Sequence, residues 1–150
     1  MKEDLITDRE IIREIVEAAP VCRIGFCVDD VPYVIPMNFG YRDPFVYLHT
    51  GRSGKKLDII ARNDNVCFEV DIDHELSLSP KPCVCGMKYR SAVGFGKAYL
   101  VEDRSEKVEA LNAIMDHYAS SSSHQYPGKV LDKTVILKIR LDTIIARVRT

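Results

Sequence analysis

Val21-Cys22-Arg23-Ile24-Gly25-Phe26-Cys27-Val28 runs into Asp29-Asp30. Pro32-Tyr33-Val34-Ile35-Pro36-Met37-Asn38-Phe39-Gly40-Tyr41 follows, then Arg42-Asp43-Pro44, then Phe45-Val46-Tyr47-Leu48-His49-Thr50. The alternation of strand formers and turn residues over 21–50 sets the fold class. β-formers fill each run, and turn residues separate them. The spacing predicts a three-stranded antiparallel meander. Its connections are too short for the helix that a parallel crossover needs. Pro32 and Pro36 cannot donate to a ladder, so their strand is an edge, is bulged, or has an open side.

Upstream, Thr7-Asp8-Arg9-Glu10 fits a capping box. Ile11, Ile12, Ile15, Val16 and Ala19 recur at helical spacing, and Pro20 ends the pattern. A helix over 7–19 is expected. Downstream, Gly51-Arg52-Ser53-Gly54 breaks the meander, and 55–62 reads as a short helix stopped by Asn63-Asp64-Asn65. Alternation over 66–71 predicts a strand, 74–86 an irregular connection, and 89–101 a long strand. Gly94 and Gly96 inside it mark a bend, bulge or close approach. A helix is expected from Glu102-Asp103-Arg104-Ser105 through Tyr118, then a polar loop holding Ser120 to Ser123 and Pro127-Gly128. A last strand is expected over 134–141, and 144–148 continues it or pairs beside it. Hairpin-linked strands dominate this order, so it favours a small antiparallel barrel decorated by helices.

The chain of 150 residues is expected to form one domain over 1–150. Its net charge of −1 argues against sequence-independent nucleic-acid binding, which needs clustered cations. At 46% hydrophobic it is built for a core, and no apolar run approaches a membrane span. Met1-Lys2-Glu3-Asp4 does not read as a signal peptide. Five cysteines, an odd number, point to a reducing, cytoplasmic setting.

The chemistry concentrates in two segments. His49-Thr50-Gly51-Arg52-Ser53-Gly54-Lys55-Lys56 follows a strand and opens a helix. Ser53 is placed to cap that helix, and the glycines let backbone approach a ligand. Helix-start amides with Arg52, Lys55 and Lys56 favour a phosphate. The spacing is not that of a Walker A loop. The alternative, a capped helix with a solvated basic first turn, leaves the cations unexplained, since they oppose the helix dipole. In the second segment, Asn38 offers a donor and an acceptor on one amide, and Met37 and Phe39 could wall an aromatic ring. The alternative there is a bulged edge strand with a surface Asn.

Further motifs complete a pattern. Val34 to Tyr41 is followed by Tyr47-Leu48-His49-Thr50, Gly54-Lys55-Lys56-Leu57-Asp58 and Asn65-Val66-Cys67-Phe68-Glu69-Val70-Asp71. Tyr89-Arg90-Ser91-Ala92-Val93-Gly94-Phe95-Gly96-Lys97-Ala98 then leads to Val101-Glu102-Asp103. From 7 to 149 the chain resembles the nitroimidazole-resistance (Nim) branch of the pyridoxamine 5′-phosphate oxidase-like flavoproteins. The resemblance implies a mainly β fold with flanking helices, a six-stranded antiparallel split β-barrel. It also implies a homodimer with FMN in a groove between subunits. It assigns the phosphate to His49, Thr50, Gly51, Ser53, Gly54, Lys55 and Lys56, with Lys56 as the direct cation. It sets Pro36, Met37 and Asn38 along the flavin ring, and Arg90 and Ser91 near the cofactor. Ile145-Ala146-Arg147 departs from the Gly-Lys ending of this family, which leaves Arg147 as the substitute cation.

The implied activity is FMN-dependent oxidoreduction. A reduced nicotinamide would be the donor and a small nitroaromatic the acceptor, its nitro group reduced to the amine. His49 is the one catalytic candidate, because imidazole titrates near neutrality. Two rivals stand beside this reading: a non-catalytic flavin carrier or sensor, and a haem-binding split barrel with His49 or His74 as axial ligand. Cys83-Val84-Cys85, with Cys67 and His74, does not make a zinc site. The spacing is one residue, and no second pair follows.

Overall fold

The computed structural model describes residues 2–119 and 124–150. The helices are α1 (Arg9–Ala18), α2 (Lys55–Ile60), α3 (Arg104–Tyr118) and α4 (Gly128–Lys133). The strands are β1 (Glu3–Ile6), β2 (Cys22–Val28), β3 (Val31–Met37), β4 (Gly40–Arg42) and β5 (Phe45–Thr50), then β6 (Asn65–Ser77), β7 (Gly86–Val101) and β8 (Val135–Arg149). One antiparallel sheet runs β3-β2-β6-β7-β8-β5-β4, and β1 adds to β8. The sheet curls round a core to which Ile24, Leu48, Phe68, Ala92 and Leu137 contribute from five different strands. Ile12, Ile15 and Val16 of α1 join that core. The fold is therefore the mainly β split barrel with flanking helices, with eight strands among the described residues instead of six.

The split falls inside the expected meander, which is corrected here. The run 32–41 is two strands. Among the described residues, β3 pairs with β2 alone and β4 with β5 alone, so β3 and β4 end the main path of the sheet. Asn38-Phe39 crosses between them. Phe39 turns fully inward and meets Phe68 edge-on at 5.7 Å. Its N–H donates to the Tyr118 hydroxyl at 3.1 Å, while that hydroxyl donates to the Pro20 carbonyl at 2.9 Å. The end of α3 thus covers the gap. Gly40 permits it, because a Cβ there would sit 2.6 Å from the Ala113 carbonyl oxygen.

Local readings change too. Asp8, not Thr7, caps α1, accepting from the Glu10 and Ile11 amides at 2.9 and 3.2 Å. Four residues, Glu3–Ile6, form a strand too short to signal itself. The connection expected at 74–86 is mostly hairpin: β6 continues to Ser77 past a bulge between Ile72 and Glu75, and β7 starts at Gly86. Only a 3₁₀ turn, Pro82–Val84, lies within the tip. At the C-terminal end, 144–148 continues the preceding strand and does not pair beside it: β8 runs unbroken, since its register shift opposite Phe95/Gly96 preserves pairing. Gly96 is the anticipated close approach, where any Cβ would collide with the Arg140 carbonyl. The loop expected around 120–128 ends in α4, and Ser120 to Ser123 lie outside the described residues. Among the described residues, no helix is long and apolar enough to cross a membrane.

Candidate functional site

The β5–α2 turn carries the expected phosphate segment. His49 is exposed and Thr50 half-buried at the end of β5, where they pair with Ile136 and Val135 of β8. Gly51 and Ser53 are exposed. Gly54 is the N-cap of α2, with φ at +139°, a region that favours glycine. Its carbonyl accepts the Leu57 and Asp58 amides at 3.0 and 3.2 Å. Ser53 is not the cap, and among the described residues no side chain caps α2. The Lys55 and Lys56 amides belong to the first turn, where no intrahelical carbonyl is available. At the far end, Asn63 Nδ2 donates to the Cys27 carbonyl at 3.0 Å and holds the helix exit against β2.

The three cations of this turn have different fates. Arg52 donates to the Asp132 carbonyl at the end of α4. Lys55 lies over the Tyr33 ring, its Nζ 4.5 Å from the centroid. Lys56 is half-buried and, among the described residues, has no ion pair or hydrogen bond.

Tyr33 belongs to β3, which also carries Pro36, exposed, and Met37, half-buried; Asn38 follows, exposed. The Met37 carbonyl accepts the Cys22 thiol at 3.4 Å. Because β3 is an edge, its outer backbone has no ladder partner, as the prolines require. The Lys55–Tyr33 contact therefore brings the phosphate segment against the strand that leads to Pro36, Met37 and Asn38.

Arg90 and Ser91 stand apart. Arg90 donates to Asp73 at 2.6 Å and to Glu14 of α1 at 2.7 Å. Ser91 is buried, opposite Asp71 and Arg147. Among the described residues, neither bonds to 36–38 or 49–56. Arg147 pairs with Glu3 at 3.2 Å.

Two features escaped the sequence. Arg23, opposite Pro36, bridges Asp71 and Glu69, and His74 Nε2 lies 2.5 Å from the other Asp71 oxygen. Burial, then the Asp71 charge, pushes the Glu69 carboxyl up, while Arg23 opposes both. The alternation Glu69-Val70-Asp71 was its only signal. The second is an apolar outer sheet face. Leu5, Val34, Phe95 and Ile145 are exposed, and Leu5, Val93, Phe95, Ile145 and Arg147 line one shallow pocket there. Register places Val34 and Phe95 on one face, through Gly25 and Cys67.

A curled antiparallel sheet, split between two edges and covered by helices, with a glycine-containing turn beside one edge, defines a split-barrel protein. The pyridoxamine 5′-phosphate oxidase family matches residues 8–148, and the chain belongs to it. A provisionally named 5-nitroimidazole antibiotic resistance protein from Bacteroides thetaiotaomicron VPI-5482 is 34% identical. That match covers 98% of this chain and 87% of the other, with a TM-score of 0.87. The flavocytochrome Anf3 from Azotobacter vinelandii shares the fold at 22% identity and a TM-score of 0.85, covering 97% and 69% of the two chains. An FAD and heme binding protein from Mycobacterium smegmatis does so at 19% identity and 0.85, covering 96% and 72%. No curated protein matches the sequence.

Proposed function

We propose that the chain is a single FMN-binding domain that works as an oxidoreductase, with the phosphate at the β5–α2 turn and the flavin ring along Pro36, Met37 and Asn38. The observation that carries this reading is Lys56, without a partner among the described residues, on a turn pinned to β3 by Lys55 and Tyr33. The residues fit such a group. A Cβ built on Gly51 or Gly54 meets nothing within 4 Å, so the turn opens outward. Thr50, the first-turn amides and the Lys56 ammonium form an anion-binding donor set.

Bound FMN would supply hydride and single-electron transfer. Lys56 would hold the phosphate charge, and the Asn38 amide would hold the polar edge of the ring. His49, exposed at the end of β5, is the candidate catalytic side chain beside the turn. The donor is a reduced nicotinamide and the acceptor a small nitroaromatic. The 34% identity to the 5-nitroimidazole resistance protein from Bacteroides supports the choice of acceptor. The exposed face around Phe95 and Ile145 supports a homodimer, since a contiguous apolar patch on a surface marks an interaction site.

Purified protein mixed with FMN tests the reading. Flavin fluorescence should be quenched on binding, a reduced nicotinamide should bleach the yellow band, and a 5-nitroimidazole should restore it anaerobically. Protein that takes up no FMN overturns the proposal. Flavin that stays reduced with the nitroimidazole identifies a carrier instead.

A further inference from the structure

The five cysteines divide by environment. Cys22 is fully buried in β2, and burial pushes its thiol up to about 12. Burial also pushes the Cys67 thiol up. Both are thiols, not nucleophilic thiolates, near neutral pH. Cys27 is half-buried in β2. Cys83 and Cys85 differ, sitting together at the tip of the β6–β7 hairpin with Cys83 exposed and Cys85 half-buried.

Free cysteine is among the most buried residue types, so an exposed cysteine two residues from another is not explained by packing. Local geometry brings the two together. Pro82–Val84 is a 3₁₀ turn, closed by the Val84 amide to Lys81 (3.0 Å) and the Cys85 amide to Pro82 (3.1 Å). A turn shortens the i to i+2 Cα span below the roughly 7 Å of extended chain, into the range disulfides use. The Ser79 amide donates to Cys85 Sγ at 3.3 Å, and the Cys85 thiol donates to the Ser79 carbonyl at 3.4 Å, so that sulfur is held at the base of the hairpin tip. Cys83 is exposed to solvent, and Cys85 lies two residues on, across the turn.

We infer that Cys83 and Cys85 form a dithiol redox site that reacts with low-molecular-weight disulfides, Cys83 as the attacking thiol and Cys85 as the resolving one. Cys83 loses its proton and attacks one sulfur of the small disulfide. That S–S bond breaks, a mixed disulfide forms on Cys83, and the first small thiolate leaves carrying the proton. Cys85 then attacks the Cys83 sulfur, closing Cys83–Cys85 and expelling the second thiolate with the Cys85 proton. Two electrons pass from the protein to the small disulfide, which ends as two thiols. In the reducing cytoplasm proposed for this chain, such a bond is transient and sensing, not structural. The site stands independently of flavin binding.

The test treats the reduced full-length protein with oxidised glutathione, followed by intact-mass and peptide analysis after alkylation. The wild type should lose two alkylatable thiols and the mass of two hydrogens, retain no glutathione, and carry its new bond within the Cys83–Cys85 peptide. Cys85→Ser should retain one glutathione on Cys83. Cys22 staying unalkylated until unfolding reports an intact fold in each sample. Glutathione held on Cys83 of the wild type with Cys85 still alkylatable overturns the inference. So does a bond from either cysteine to Cys27 or to a second chain, or no reaction at all.

Discussion

The Lys55 ammonium rests on the ring of Tyr33, Nζ to centroid 4.5 Å, and this contact ties the start of α2 to the free edge of β3. It joins segments far apart along the sheet, since β5 and β3 are separated by β8, β7, β6 and β2. Removing it with Tyr33→Leu should weaken FMN binding by about 0.5–1 kcal/mol, the worth of an exposed cation–π contact. Fluorescence titration reads this; an unchanged Kd would mean that the turn holds its place without Tyr33.

Lys56 and Arg52 should behave differently. Lys56→Ala should weaken FMN binding by about 1.5–3 kcal/mol, the range for a hydrogen bond to a charged group. Arg52 is committed to the Asp132 carbonyl, so Arg52→Ala should act more on the docking of α4 and less on FMN affinity. The reverse ranking of the two dissociation constants would move the phosphate cation to Arg52.

Gly40→Ala tests the cover over the split. A methyl group would stand 2.5 Å from the Ile114 nitrogen and 2.6 Å from the Ala113 carbonyl oxygen, both backbone atoms. Helix α3 must move off β4. A loss of about 3 kcal/mol or more is expected, at the high end for overpacking. Urea denaturation measures it, and a loss well under 1 kcal/mol would show that α3 is free to shift.

Alkaline stability should depend on Cys22. Burial pushes its folded thiol up to about 12, from an ordinary value of 9.0. Its folded value is raised, so its stabilising contribution is full below the unfolded value and declines as pH rises from 9 towards 12. The decline approaches about 1.4 kcal/mol per pH unit. Cys22→Ala should remove that part of the slope, whatever the cost of its cavity. Equal slopes for wild type and variant in denaturation series between these pH values would show that other groups set the alkaline limit.

Phe95→Asp probes the apolar face. Phe95 is 58% exposed, so the isolated fold should tolerate a carboxylate there. The variant should elute as a monomer by light scattering and bind FMN more weakly than the wild type. A dimer of unchanged affinity would locate the interface elsewhere.

The elements were legible in the chain because strand and helix periods are local. The stripe from Ile11 to Ala19 reads as a helix, and Pro32 and Pro36 ask for an edge, a bulge or an open side, of which the fold takes the edge. Pairing was less legible. Nothing local to Asn38-Phe39 says that the chain stops pairing there, because the reason is remote: Phe39 is drawn inward against Phe68, and its amide finds Tyr118, some eighty positions later. The cap of α2 was misassigned for a similar reason. Ser53 has the right chemistry, but Gly54 supplies the positive φ that lets the turn close.

The candidate site divides in the same way. The sequence alone placed donors and cations at His49 to Lys56 and an amide at Asn38, since glycine, lysine and asparagine declare their chemistry wherever they lie. Only the tertiary structure decided which of those groups are free. Arg52 was taken by α4 and Lys55 by Tyr33, while Arg90 went to α1 and the β6 bulge. Charges seek partners through space at a few ångströms, and the curl of the sheet, not the order of the chain, determines which partners come within reach.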